Sequence, residues 1–148
     1  VGEGKGKGFT VNVPLPYGMG DNEFDYIYTK ILIPIAREYK PELIMVSAGF
    51  DAYYQDPLGG MEVTEKGYAR LGSIFLQLAD ELCNGKLVFA LEGGYSIDGI
   101  ARCIKEIIIL MMGKNELVPE LGPPIKGFER VQEEVLKYQK DFWKGIQG

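Results

Sequence analysis

Two short runs, Leu43-Ile44-Met45-Val46-Ser47 and Leu87-Val88-Phe89-Ala90-Leu91, are apolar at successive rather than alternate positions. A strand with one wet face alternates apolar and polar residues. An unbroken apolar run bounded by turn residues instead marks a strand buried on both faces, the habit of parallel sheets. Each run ends near glycine and is followed by a segment long enough for a crossover helix. Thr64 caps the first of these, where Tyr68, Leu71, Phe75, Leu78 and Leu82 recur at helical spacing until Asn84-Gly85 stops it. Ser96 opens the second, which runs through Ile97, Ile100, Ile104, Ile107, Ile108 and Met111 to Gly113. The pattern predicts an α/β fold, a parallel sheet with helices on both faces.

The flanking segments are less regular. Residues 1–8 carry glycine at every second position and read as a loop. Phe9 to Leu15 alternates apolar and polar residues, which predicts a short strand ended by Pro14 and Pro16. Asp21 is placed to cap a helix reaching Tyr39, with Phe24, Ile27, Ile31 and Ile35 on one stripe. Pro34 should kink or split that helix near Leu32. A linker with Pro119, Pro123 and Pro124 leads to a terminal helix over residues 127–144. Three strands are few for an open sheet covered on both faces, so either more of the sheet or another chain is expected to complete it.

Composition excludes several classes. A chain of 148 residues is one domain or most of one. A net charge of −5 argues against direct nucleic-acid binding, which needs a basic face. No apolar run approaches membrane-spanning length and nothing resembles a signal peptide, so no membrane partner is expected and the location reads as cytoplasmic. Cys83 and Cys103 lie in predicted helices without Cys-x-x-Cys spacing and read as reduced, buried thiols. The glycine-rich start precedes a predicted strand instead of joining a strand to a helix, and it lacks Gly-Lys-Ser/Thr, which argues against phosphate binding there.

Sites in open parallel sheets form at the carboxyl ends of the strands. Asp51, in Ser47-Ala48-Gly49-Phe50-Asp51-Ala52, and Tyr95, in Leu91-Glu92-Gly93-Gly94-Tyr95, both fall there. A carboxylate held by a rigid strand can ligate a metal. A tyrosine among glycines can donate to an oxyanion, with Gly93 and Gly94 letting a substrate pass close to the backbone. Plainer readings stand beside these: Asp51 as a turn former, Tyr95 as a packed aromatic, and Asp56-Pro57-Leu58-Gly59-Gly60 as a turn. The chain contains no histidine, so any metal or acid–base site built on Asp51 is incomplete within it.

Several segments in register resemble the zinc-dependent histone deacetylase superfamily, with the flavour of class II members, acetylpolyamine amidohydrolases and acetoin-utilisation proteins. They are Val11-Asn12-Val13-Pro14-Leu15-Pro16 with Gly18-Met19-Gly20-Asp21; Ser47 to Ala52 with Asp56-Pro57-Leu58-Gly59 and Gly67-Tyr68; and Leu91-Glu92-Gly93-Gly94-Tyr95. The resemblance covers about residues 2–112. It implies a partial arginase/deacetylase-like three-layer fold and hydrolysis of an acetyl amide. It places Asp51 on a zinc-binding aspartate, and Tyr95 on the tyrosine that hydrogen-bonds the carbonyl and oxyanion. Leu58 falls on the acyl tunnel, and Gly93 and Gly94 on its glycine wall. The family's Asp-x-His pair and tandem histidines lie upstream of these blocks. The chain is therefore expected to be a C-terminal part: residues 1–112 from the deacetylase-like domain, 113–148 its linker and terminal helix. It is expected to be inactive alone, to hold no zinc tightly by itself, and to associate with the missing N-terminal half or with itself. The substrate of the intact enzyme would be an acetylated small molecule or an acetyl-lysine protein. A non-catalytic α/β interaction module keeping relic deacetylase motifs is the alternative.

Overall fold

The computed structural model describes residues 1–114, 121–125 and 127–146. Strand β1 (Ile44–Ala48) pairs in parallel with β2 (Leu87–Leu91), in register from Ile44 opposite Leu87 to Ala48 opposite Leu91. Helix α3 (Glu65–Cys83) is the crossover between them, and α4 (Ile97–Met111) follows β2 and packs on α3. The Thr64 hydroxyl accepts from Lys66 and Gly67 N–H to start α3, and Asn84, in left-handed conformation, ends it. Phe50, Tyr53, Val63, Tyr68, Cys103 and Ile107 form the core between sheet and helices.

The helices cover one face of this sheet. Ile44, Val46, Ala48, Leu87 and Phe89 face inward and are half-buried, whereas Met45, Ser47, Val88 and Ala90 are exposed on the opposite face. Met45 is 70% exposed, although its run is apolar throughout. Among the described residues each strand also has an unpaired outer edge.

The predicted first strand is not one. Residues 9–15 run without regular structure, and Val11, Val13 and Leu15 pack against Met19, Ile27 and Ile31. Their alternation serves packing on a helix rather than pairing in a sheet, and Pro14 and Pro16 cannot donate to a ladder. Strand and helix therefore alternate twice among the described residues, not three times. The helix is split where Pro34 predicts it. Between α1 (Asp21–Ile27) and α2 (Ile33–Tyr39), residues Tyr28–Leu32 widen into a π-helical turn, with Ile33 N–H donating to Tyr28 O. That accommodates a residue with no N–H to give its own turn.

The predicted terminal helix is shorter: α5 (Glu129–Gln139), then a 3₁₀ turn at Lys144–Ile146. The predicted linker's Pro119 lies outside the described residues. The C-terminal segment secures the N-terminal one. Trp143 Nε1 donates to Gly8 O (2.9 Å) and Gln139 Nε2 to Thr10 O (2.8 Å). No helix among the described residues is long and apolar enough to cross a membrane.

Asp21 is the first residue of α1 rather than its cap. Its carboxylate instead accepts from the Thr64 backbone N–H (2.7 Å) and hydroxyl (2.6 Å), fastening α1 to the start of α3. Asp21→Ala leaves that N–H unpaired. It is expected to lower the unfolding free energy by about 2 kcal/mol, read from urea denaturation.

Candidate active site

Both strands deliver their carboxyl ends to the same edge. Beyond the last paired residues the backbones stay joined, with Glu92 N–H donating to Ala48 O (3.1 Å) and Phe50 N–H to Gly93 O (2.9 Å). Asp51 follows on the first loop, Gly93, Gly94 and Tyr95 on the second. The Asp51 carboxylate lies against the Gly93 backbone, and a Cβ on Gly93 would stand 3.0 Å from Asp51 Oδ2. Glycine is required there if the carboxylate keeps its place. Gly94 has φ 128°, and a Cβ there would crowd Ile100 and Phe50.

Tyr68 supports the Asp51 loop from beneath. Its hydroxyl donates to Gly49 O (3.1 Å) and its ring stacks at a tilt on Phe50, centroids 5.1 Å apart. Burial, with the nearby Cys103 and Asp51 adding to it, raises the phenol far above its ordinary pKa, so it remains a donor.

Tyr95 and Leu58 are both open, at 58% and 70% exposure, and the Tyr95 hydroxyl makes no hydrogen bond with any described residue. Tyr95 is thus not packed away. Its hydroxyl is available to a ligand.

Asp56 was legible in sequence only as a turn former, and it is one. Its Oδ1 accepts from Leu58 N–H (2.9 Å) and Gly59 N–H (3.0 Å). Its Oδ2 does what the sequence did not disclose, accepting from Tyr95 N–H (2.6 Å) and Ser96 N–H (3.2 Å) across 39 and 40 residues of chain. Asp56 is buried. The first loop also folds back on itself at Gly59, where a Cβ would collide with the Asp51 carbonyl. The structure thus brings Asp51, Leu58, Gly93, Gly94 and Tyr95 into one loop cluster.

A catalytic zinc takes three protein ligands and keeps a fourth position open. Asp51 is suited to be one of them. Among the described residues, however, no three His, Cys, Asp or Glu side chains come together as a metal-holding group. The donors among the described residues do not complete a zinc set.

Comparisons with known proteins define the class. Residues 1–111 match the family profile described as the histone deacetylase domain. The chain belongs to the histone deacetylase family. It is 41% identical over 151 aligned residues to Histone deacetylase 5 of Arabidopsis thaliana, covering 99% of this chain and 22% of that protein. It is 43% identical over 98 residues to a protein named Probable deacetylase from Archaeoglobus fulgidus, covering 66% of this chain and 27% of that one. The crystal structure of the HDA15 HD domain superposes with TM-score 0.87 at 34% identity, over 99% of this chain and 40% of that one. The chain thus spans less than a third of these two curated relatives. The likeness to the HDA15 domain bears out the α/β, arginase/deacetylase-like fold.

Burial alone would raise the Asp56 pKa. The four backbone N–H donors outweigh burial and hold the carboxyl below its ordinary 3.8. A carboxyl depressed by folding stabilises the fold above its unfolded pKa, and that contribution is lost as pH falls through the folded value. Asp56→Asn is therefore expected to cost about 2 kcal/mol at neutral pH. The gap between wild type and variant in urea midpoint should narrow below about pH 4.

Proposed function

We propose that this chain is the C-terminal portion of a zinc-dependent amidohydrolase that removes acetyl groups from acetyl-lysine or acetylpolyamine-type amides. Asp51 contributes one metal ligand. Tyr95 donates its hydroxyl to the substrate carbonyl oxygen and to the oxyanion that forms from it. Leu58, Gly93 and Gly94 line the acyl channel. The observation that carries the reading is the convergence of the Asp51 and Tyr95 loops at the carboxyl edge of the sheet in a histone deacetylase domain, the tyrosine exposed and its hydroxyl unengaged. With no histidine in its 148 residues, the chain supplies no imidazole for proton transfer or metal binding, and it is inactive alone.

The purified chain is expected to bind zinc below stoichiometry by metal analysis and to leave an acetyl-lysine peptide intact. Adding a histidine-bearing portion of a deacetylase domain restores both. In that assembled protein Tyr95→Phe lowers kcat about 10²- to 10³-fold, the usual cost of one oxyanion donor. Stoichiometric tight zinc or turnover by the chain alone overturns the reading.

The partner in this proposal is the remainder of the domain, seated on the open sheet face and strand edges. The HDA15 domain, of which this chain matches 40%, has that additional chain to offer. Without it, an apolar face bearing Met45 and Val88 favours self-association. The isolated chain is expected to sediment as oligomers, and Met45→Lys with Val88→Lys shifts it toward monomer. The free thiols Cys83 and Cys103 accord with the proposed cytoplasmic, reducing location.

A further inference from the structure

The three residues between β2 and α4 that would form the glycine wall and carry the phenol are held by few interactions of their own. Gly93 is fixed through its carbonyl by Phe50 N–H. Gly94 adopts φ 128°, a conformation that glycine reaches without penalty and that adds no stiffness. The Tyr95 side chain is open and its hydroxyl engages no described residue, so side-chain packing does little to locate it. Its position is set by its backbone, and the backbone N–H groups of Tyr95 and Ser96 both end on Asp56 Oδ2. Ser96 in turn caps α4, its hydroxyl accepting from Gly99 N–H (3.2 Å). The other Asp56 oxygen holds the N–H groups of Leu58 and Gly59.

We infer that Asp56 is a positioning residue that sets the Tyr95 phenol relative to Leu58 and Asp51 by clamping the two loops through their backbones. This rests on the deacetylase reading of the site. The carboxylate is suited to the task because each of its oxygens accepts from one loop. An amide cannot replace it: whichever way the side chain of an Asp56→Asn variant turned, its NH₂ would face two N–H donors. The phenol needs this help because a donor aimed at a developing oxyanion works only within a narrow range of distance. A displacement of about 1 Å can cost on the order of 10² in rate.

Two measurements test this. In the protein completed by its histidine-bearing portion, Asp56→Asn lowers kcat about ten- to a hundredfold while KM moves less than about threefold. In a Tyr95→Phe background the same substitution lowers kcat less than about twofold, because the residue through which it acts no longer contributes. An undiminished loss in that background, or a loss carried by KM, overturns the inference. The second measurement is amide hydrogen exchange on the unsubstituted 148-residue chain, which needs neither a folded variant nor turnover. The Tyr95 and Ser96 amides should exchange as slowly as those of the paired strands, and together with Leu58 and Gly59. Rapid exchange at Tyr95 overturns the clamp even in an active protein. A slow Tyr95 amide in a completed protein that does not hydrolyse acetyl amides leaves the clamp standing and removes the deacetylase reading instead.

Discussion

The parallel pairing of β1 with β2 is the constraint on which the rest depends. Parallel strands leave a sheet at the same edge, so the loops that follow them must share space. The register puts Ala48 opposite Leu91, and the bond from Phe50 N–H to Gly93 O carries the pairing two residues further. Asp51 and Tyr95, separated by a helix and a strand in sequence, thereby become neighbours in a loop cluster. An antiparallel pairing would have sent them to opposite ends. Helix α3 is what makes the parallel arrangement possible, and Thr64 and Asp21 together fix where it starts.

Backbone pairing ends where function begins. Past Gly93 no ladder continues, yet on the proposed reading the Tyr95 phenol must meet a reacting oxygen and cannot be left on a loose loop. The buried Asp56 takes over from the sheet, presenting two acceptor oxygens where neighbouring strands would have presented carbonyls. A neutral amide or hydroxyl would satisfy fewer of those N–H groups. The charge is tolerable because four donors surround it.

Much of this was legible in the sequence for local reasons. The strands β1 and β2 are each a run of apolar residues. The helices α3 and α4 carry their own caps and stripes, and Pro34 announces its break. Asp51 and Tyr95 could be singled out because strand ends are where such sheets do their chemistry. What stayed hidden depended on distant partners. Residues 9–15 alternate because one side packs on Ile27 and Ile31, and alternation alone cannot distinguish that from sheet pairing. Asp56 looks like a turn because it is one. Nothing within reach of a local window shows that its second oxygen belongs to Tyr95. The last segment carries no motif of its own, yet Trp143 and Gln139 satisfy the carbonyls of Gly8 and Thr10, which have no strand partner.

The open sheet face and the incomplete metal set are two views of one geometry. At a carboxyl edge each strand can offer the site only the few side chains in the loop that follows it. The two strands here offer one carboxylate and one phenol. On the proposed reading Asp51 is one of three protein ligands for a zinc; the other two, and groups to move protons, must come from loops of further strands. Those same strands would lie along the unpaired edges of β1 and β2, and the layer behind them would cover Met45 and Val88. On the proposed reading, whatever completes the site chemically also completes the sheet physically. Zinc affinity and the burial of that apolar face should therefore appear together, since the ligands cannot arrive without the strands that carry them.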